Sequence, residues 1–286
     1  MTMPRQWLVV MVRSPADEQK HELTEGLLAL GGCAVVEEAD TLSTWLPAPD
    51  AAAPFEQEVR SRLEAAGGQE VRFALEEERD WLAEWRRGLA PRRVGEHIVV
   101  TPTWAEFEAE AGDLVITIDP QMAFGTGEHA STRLVLRRME TLVNAGDRVL
   151  DMGTGSAILA IAAAHLGAAH VDAAESDGDA LGNAAENIAR NDGAERIALT
   201  HALVDDVWLR AHGPWDVIVG NVLSGVLRPL VPDLSAALRP GGRLLLSGIL
   251  IQEADGMRAA TRLAGLSALG ESSEEEWWCG AFAKSS

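Results

Sequence analysis

Short apolar runs alternate with amphipathic stretches along residues 112–286 of this chain. Short runs bounded by turn residues are typical of strands buried on both faces of a parallel sheet, and the stretches between them have helical spacing. This alternation predicts an α/β fold with a doubly wound sheet. The predicted strands are 148–151, 170–175, 198–202, 216–219 and 243–247, the predicted helices are 131–142, 158–166, 179–190 and 226–238, and residues 266–283 are expected to add two edge strands.

Residues 1–75 follow a different pattern, with the predicted order βαββαβ. Strands are expected at 7–12, 34–37, 41–46 and 71–75, and helices at 17–30 and 55–66. This order predicts a ferredoxin-like α+β domain. Residues 76–111 would connect it to the larger domain at 112–286. In the connector, Trp81 and Trp85 lie one helical turn apart, which favours packing at a domain junction over contact with a substrate.

A glycine-rich junction joins the strand 148–151 to the next helix. Asp151, Gly153 and Gly155 form the pattern Asp-x-Gly-x-Gly-Ser, which brings backbone N–H groups and a helix N-terminus to a nucleotide-like ligand. A dinucleotide site needs a third glycine where Ile158 stands, so that site is disfavoured. The pattern resembles the S-adenosylmethionine loop of class I methyltransferases. A tight turn in another α/β protein is the alternative.

An acid follows this junction at a suitable distance. Glu175 ends the next predicted strand, 22 residues after Gly153, where doubly wound folds place a carboxylate on ribose hydroxyls. Asp172 competes for this role but lies in mid-strand, and Asp177 is expected to cap the following helix. A solvated acid at the strand end is the alternative for Glu175.

Two further segments carry candidate chemistry. The segment 119–132 combines glycines, hydroxyls and the imidazole of His129, which is typical of a ligand-facing loop, and Ser131 or Thr132 is expected to cap the helix that follows. Asn221 follows the strand 216–219 at its carboxyl end, where ligands of open sheets bind. Its amide can orient an amine or hold the methionine part of a cofactor; a turn-forming asparagine is the alternative.

The net charge of −20 limits the classes of molecule that this chain is expected to bind. It argues against binding along a nucleic-acid backbone and favours a basic partner, although solubility or a high-salt habitat also accounts for it. The chain has no predicted membrane span and no signal peptide. Cys33 and Cys279 lack metal-ligand spacing, so we expect no metal site, two buried thiols and a cytoplasmic location.

Together these motifs resemble the bacterial methyltransferases that modify large-subunit ribosomal protein eleven. The resemblance covers nearly the whole chain and includes the connector 80–104, the loop 123–129, the Asp151 junction, Asn221 and the segment 240–250. The Phe-Gly-Thr-Gly-x-His loop together with the late Ser-Gly-Ile-Leu sequence is more specific than the glycine loop alone.

The resemblance implies that the ferredoxin-like domain recognises the protein substrate and that the larger domain binds S-adenosylmethionine. It further implies methylation of lysine side chains and of an N-terminal amine. It assigns cofactor contacts to Thr132, Gly153, Glu175 and Asn221, adds Asp151 and Gly155 as members of the same loop, and makes Asn221 the catalytic residue, with Phe124, Thr126 and His129 in a possible active-site loop.

Several positions depart from the family pattern. Ala157 replaces a glycine, and we expect its methyl group to be accommodated provided that the backbone there has φ below zero. The pair Ala130-Ser131 replaces Pro-Thr, and Gly220 and Val222 replace Ala and Ile around Asn221. These changes leave two alternatives open. One is a methyltransferase of the same fold that acts on another protein or a small molecule, and the other is a cofactor-binding protein without catalytic activity.

The implied reaction is a direct displacement by a neutral amine on an activated methyl group. Such a reaction needs no metal and no covalent enzyme intermediate, and its catalysis would come from positioning and exclusion of water. Desolvation would favour the neutral amine, and the sequence shows no residue that must be a strong general base.

Overall fold

The chain divides into two units, Met1–Arg87 and Gly88–Ser286, in the computed structural model. The structure describes residues 6–14, 17–31, 35–48, 52–77, 89–120 and 125–286. The predicted helix at 80–87, Cys33 and Phe124 lie outside these ranges. The predicted division at residues 75 and 111, with its recognition and connector roles, stays a prediction.

The first unit is an antiparallel sheet covered by two helices. Its elements are β1 (Gln6–Arg13), α1 (Asp17–Ala29), β2 (Val35–Glu38), β3 (Thr41–Pro47), α2 (Ala52–Ala65) and β4 (Gln69–Glu77). The strand order is β2-β3-β1-β4, and every neighbouring pair is antiparallel. Alternate residues of β1, Val10 and Val12, pack with Leu23 and Leu27 of α1 in a buried cluster, as strand periodicity requires. The predicted ferredoxin-like order is confirmed.

The second unit contains most of the chain. Its strands are β5 (Arg92–Arg93), β6 (Ile98–Pro102), β7 (Leu114–Ile118), β8 (Arg148–Met152), β9 (His170–Glu175), β10 (Ile197–His201), β11 (Trp215–Asn221), β12 (Leu238–Leu250), β13 (Leu266–Glu274) and β14 (Trp277–Lys284). Its helices are α3 (Ala130–Leu142), α4 (Ile158–His165), α5 (Gly178–Ala189), α6 (Asp206–His212), α7 (Ser224–Ala237) and α8 (Ala254–Leu263). Single 3-10 turns lie at Ala194–Arg196 and Ile251–Glu253.

A seven-stranded sheet forms the centre of this unit, in the order β10-β9-β8-β11-β12-β14-β13. The first five strands are parallel, as predicted, and β14 runs antiparallel to both of its neighbours. We expected two edge strands from residues 266–283, but only β13 is at the edge. The apolar strand β14 is covered on both sides because it lies between β12 and β13.

The sheet is buried on both faces. Along β8, Val149 belongs to the core cluster with α3, α4 and α5, whereas the next residue, Leu150, belongs to the cluster with α6, α7 and α8. The pair Val217 and Ile218 of β11 divides in the same way. Continuous apolar runs are therefore required here, because both sides of each central strand meet a helix layer.

A small sheet with the order β5-β6-β7 completes the second unit. Strand β7 was not predicted from the sequence. The apolar side chains of this small sheet pack into the same core as α4, namely Ile98, Val100, Ile116 and Ile118. Strand β7 precedes the segment that leads into α3.

Candidate active site

A cavity of about 460 Å³ lies at the carboxyl ends of the parallel strands. Strand order reverses between β8 and β11, and ligands of open α/β sheets bind in the crevice at such a point. The walls are largely apolar with a few polar groups, as in small-molecule sites generally. The structure brings together six residues predicted for the site, namely His129, Thr132, Gly153, Gly155, Glu175 and Asn221.

The glycine loop after β8 follows a path that side chains disfavour. Gly153 has φ +70°, and a Cβ there would lie 2.6 Å from Val222 Cγ1. Gly155 has φ +54°. The N–H groups of Gly153 and Thr154 both donate to Ala174 O, at 2.9 and 3.0 Å. The loop is thus fixed to β9 by its own backbone.

Ala157 corrects one of our expectations. Its φ is +67°, in the left-handed region, and it is the N-cap of α4. Left-handed backbone costs a residue with a Cβ about 1–2 kcal/mol. The glycine expected at this position would have avoided that cost. The methyl group is fully buried, so its packing offsets part of the penalty.

Glu175 holds the glycine loop against the end of β9. Its Oε2 accepts from Gly155 N at 2.8 Å, and its Oε1 accepts from the N–H groups of Ser176 and Asp177 at 2.8 and 2.9 Å. A carboxylate offers about four acceptor positions. These bonds therefore leave Oε2 able to accept one further hydrogen bond from the cavity.

The two neighbouring acids have structural roles. Asp172 accepts from Trp215 Nε1 at 2.7 Å and pairs with Arg148 at 2.8 Å, so it is committed to the sheet and does not compete with Glu175. Asp177 is the N-cap of α5, and its side chain accepts from Asp179 N at 3.0 Å. This capping role was predicted and is confirmed.

Asp151 supports the loop and is not one of the residues that line the cavity. The side chain is buried, and Oδ2 accepts from Thr154 Oγ1 and from Ala160 N at 3.0 Å. Burial raises the pKa of the Asp151 carboxyl to about 7, with a smaller contribution from the nearby charge of Glu175. The bonds from Thr154 and Ala160 oppose this shift. The buried Oδ1 accepts no hydrogen bond within the described ranges.

Asn221 lies on the opposite side of the glycine loop, at the end of β11. Its Nδ2 donates to Thr132 Oγ1 at 3.2 Å. Its Oδ1 is buried and has no hydrogen-bond partner among the residues that the structure describes. Gly220 before it is packed closely, because a Cβ there would lie 3.1 Å from Leu227 Cδ2. Asn221 lines the cavity, and a buried acceptor without a partner would be stabilised by a donor from a bound molecule.

His129 has a capping role that we assigned to other residues. We expected Ser131 or Thr132 to cap α3, but His129 is the N-cap. Its Nδ1 lies 2.8 Å from Ser131 Oγ, and its ring makes an edge contact with Trp277 at 4.7 Å between centroids. Because the histidine takes the helix end, the Thr132 hydroxyl is left to accept from Asn221.

The rest of the predicted loop is placed differently. Thr126 Oγ1 accepts from Glu128 N at 3.2 Å, and Thr126 lines a small separate pocket instead of the main cavity. Phe124 lies outside the described residues. Of the three residues predicted for this loop, the structure therefore places His129 at the cavity wall.

Comparison with known proteins identifies the family. The profile of the ribosomal protein L11 methyltransferase (PrmA) family matches residues 12–285. The chain belongs to this family. It is 43% identical to the ribosomal protein L11 methyltransferase of Symbiobacterium thermophilum, over 83% of this chain and 78% of that protein. It is 38% identical to the protein of the same name from Geobacter sulfurreducens, over 97% of this chain and 98% of the relative.

Solved structures agree with this membership. The crystal structure of ribosomal protein L11 methylase from Lactobacillus delbrueckii subsp. bulgaricus superimposes with a TM-score of 0.61 and 27% identity, over 69% of this chain and all of that one. The predicted class I methyltransferase fold and the prediction of an enzyme are confirmed. In the described ranges, no helix has the length and apolar character to cross a membrane.

Two sets of residues that hold segments of this chain together near the cavity were missed from the sequence. Arg133 is buried, donates to Glu128 O, and binds Glu274 at the end of β13 and Glu275 in the turn that follows. Its partners at 274 and 275 are more than 140 residues away, so no local pattern reveals them.

The other set is three asparagines at positions 183, 187 and 191, whose four-residue spacing is visible in the sequence.

Proposed function

We propose that this chain transfers methyl groups from S-adenosylmethionine to amines of ribosomal protein L11, at lysine side chains and the N-terminal amine. The observation that carries the proposal is the pairing of two acceptors across one cavity. Glu175 offers one open acceptor position at the end of β9, and Asn221 offers an unpaired Oδ1 at the end of β11. The names of the relatives support L11 as the substrate.

The residues present fit S-adenosylmethionine. Glu175 and Asn221 end the strands on either side of β8, so about two strand spacings, roughly 10 Å, separate them. A nucleoside with an amino-acid tail can extend over that distance. The open position on Glu175 suits a ribose hydroxyl, and the apolar walls suit a purine ring. When bound, the cofactor supplies a methyl group bonded to a positively charged sulfur.

Asn221 would orient the incoming amine. The amide is fixed because Nδ2 donates to Thr132, so Oδ1 is held ready to accept one N–H of the amine. A neutral amine that donates this bond keeps its lone pair free for attack. Lysine has an ordinary pKa near 10.4, and removal from water into the cavity favours its neutral form. The expected contribution of the protein is positioning and exclusion of water.

Charge supports a basic protein as the partner. The net charge of −20 attracts basic proteins over long distances, and in this proposal the N-terminal ferredoxin-like unit recognises the substrate. The active-site cavity itself needs only to accept a lysine side-chain amine or the N-terminal amine.

The test is methyl transfer to purified proteins of the large ribosomal subunit. The enzyme is incubated with these proteins and isotope-labelled S-adenosylmethionine, and intact-mass and peptide mass spectrometry locate the label. We expect label on L11 amines, and very little with the Asn221→Ala variant. Label on another protein would contradict the substrate, whereas cofactor binding without transfer to any protein would contradict the activity.

A further inference from the structure

Three asparagines bind the backbone at the outer edge of β7 and at the residue that follows the strand, Asp119. Asn191 binds Thr117 at both backbone groups, accepting from N at 2.8 Å and donating to O at 2.8 Å. Asn187 does the same for Asp119, accepting from N at 2.8 Å and donating to O at 3.2 Å. Asn183 adds a second donor to Asp119 O at 2.9 Å. Side-chain amides thus take the place that a neighbouring strand would fill.

The match follows from the geometry of the two elements. One turn of helix advances about 6 Å in four residues, and two residues of a strand advance about 6.6 Å. Asparagines four apart on a helix therefore meet backbone groups two apart on a strand. An edge strand needs such partners, because buried backbone groups left unpaired are costly.

Asn187 does more than pair the edge. Its Nδ2 also donates to Ser156 O at 3.1 Å, within the turn that leads from the glycine loop into α4. Ser156 Oγ in turn donates to Gly125 O at 2.6 Å. Asn187 and Ser156 are both fully buried. Gly125 leaves no room for a side chain, because a Cβ there would lie 2.7 Å from Ser156 Oγ.

We propose that Asn187 and Ser156 are positioning residues that set the spacing between the cofactor side and the amine side of the cavity. Three hydrogen bonds in series connect these segments: Asp119 N donates to Asn187, Asn187 donates to Ser156 O in the glycine loop, and Ser156 Oγ donates to Gly125 O. From Gly125 the polypeptide continues to His129 and Thr132, and Thr132 Oγ1 accepts a hydrogen bond from Asn221 Nδ2. The amine side is thereby tied to the cofactor loop through two buried side chains. This inference rests on the proposed function.

Asn191 provides a matched control. It lies one turn further along the same asparagine row, and its bonds go to Thr117 and to Asn187 O. Its removal takes away both partners of the Thr117 backbone, whereas removal of Asn187 takes away the partner of Asp119 N and the donor to Ser156 O and leaves Asp119 O bonded to Asn183. Removal of Asn191 leaves in place the bond from Asn187 to Ser156 O and the bond from Ser156 Oγ to Gly125 O.

The experiment compares Asn187→Ser, Asn191→Ser and Ser156→Ala in the full-length chain. Methyl transfer to L11 gives kcat and KM, calorimetry with S-adenosylhomocysteine gives cofactor affinity, and melting gives stability. We expect both asparagine variants to lose similar stability. Because a misplacement of about 1 Å can cost a hundredfold in rate, we expect kcat to fall about tenfold or more in Asn187→Ser and Ser156→Ala. In Asn191→Ser it should stay within about twofold of wild type, with cofactor affinity little changed in all three.

Each outcome decides one claim. Equal kcat in Asn187→Ser and Asn191→Ser would overturn the positioning role while leaving the proposed function intact. If Asn187→Ser does not fold, Ser156→Ala carries the test alone, and unchanged kcat in that variant would overturn the inference. A wild-type chain that transfers no methyl group to L11 would end both the proposed function and this inference.

Discussion

The two sides of the cavity differ in how completely their polar groups are paired. On the cofactor side, Glu175 accepts three backbone N–H groups, and the loop N–H groups of Gly153 and Thr154 are bound to Ala174 O. On the amine side, Asn221 has a buried Oδ1 without a partner in the described part of the chain. The Glu175 carboxylate therefore already has several partners and one acceptor position left on Oε2, whereas Asn221 Oδ1 has no partner among the described residues.

The difference indicates what each side does. A buried polar group without a partner costs about 1–3 kcal/mol. Such a cost is tolerated where a ligand supplies the partner. In the proposed function, the cofactor side would therefore be a preformed scaffold, and the amine side would reach full pairing when the substrate amine binds. Asp151 Oδ1 is the exception on the cofactor side, and its raised pKa is the response to that burial.

The largest effect should come from the amine side. In Asn221→Ala the acceptor for the amine is lost, and we expect kcat to fall about a hundredfold because positioning supplies most of the catalysis. Affinity for S-adenosylhomocysteine should fall less, by about tenfold at most. Transfer assays and calorimetry measure the two quantities. Asn144→Ala, an exposed asparagine in the same unit, is the control. If affinity for S-adenosylhomocysteine fell while kcat stayed unchanged, Asn221 would be a cofactor-binding residue and not a residue that orients the amine.

The second effect concerns Asp151 and pH. Its pKa is about 7 in the folded protein against an ordinary 3.8, so the unfolded chain loses this proton first as pH rises. Stability is therefore fully present below about pH 4 and is lost as pH rises towards 7, at most about 1.4 kcal/mol per pH unit. Melting of wild type and Asp151→Asn between pH 5 and 8 tests this. Wild type should lose stability relative to the variant, and parallel curves would exclude the raised pKa.

A smaller effect is expected on the cofactor side. Glu175→Gln keeps the size of the side chain but removes the charge that strengthens its hydrogen bonds. Bonds to charged groups are worth about 1.5–3 kcal/mol, so cofactor affinity should fall about tenfold or more. At saturating cofactor, kcat should stay within about threefold. Glu195→Gln, away from the cavity lining, is the control. A large loss of kcat with normal affinity would reverse the assignment of the two sides.

The smallest effect tests the backbone of the glycine loop. Ala157→Gly relieves about 1–2 kcal/mol of left-handed strain and loses about 0.8 kcal/mol from a buried methyl group. The net gain should be below about 1 kcal/mol, visible as a slightly higher melting temperature. A clear loss of stability would show that packing of the methyl group outweighs the backbone strain at this position.

Much of the fold could be predicted from the sequence because the central strands are buried on both faces. The predicted strand 170–175 agrees with β9, and the other four central strands were found within a few residues of their observed bounds, except β12, which is longer. Strand β7 and helices α6 and α8 were missed. Each is short or mainly polar on one side, so its apolar pattern is too brief to stand out.

The placement of candidate site residues at the cavity was predictable where it follows from a position at the end of a strand. Glu175 and Asn221 follow from the rule that ligands bind at the carboxyl ends of parallel strands. The φ of Ala157, the capping role of His129 and the placement of Thr126 depend on backbone geometry and on partners nearby in space. The asparagine row was visible as a spacing, but its partners at Thr117 and Asp119 are backbone groups, which the identity of a residue does not encode.

The most direct measurement is a crystal structure of the protein with S-adenosylhomocysteine. The account predicts that the molecule lies in the cavity at the end of β8, with a ribose hydroxyl on Glu175 Oε2 and the sulfur directed towards Asn221 Oδ1. A molecule bound elsewhere, or one whose ribose lies away from Glu175 with its sulfur remote from Asn221, would contradict it.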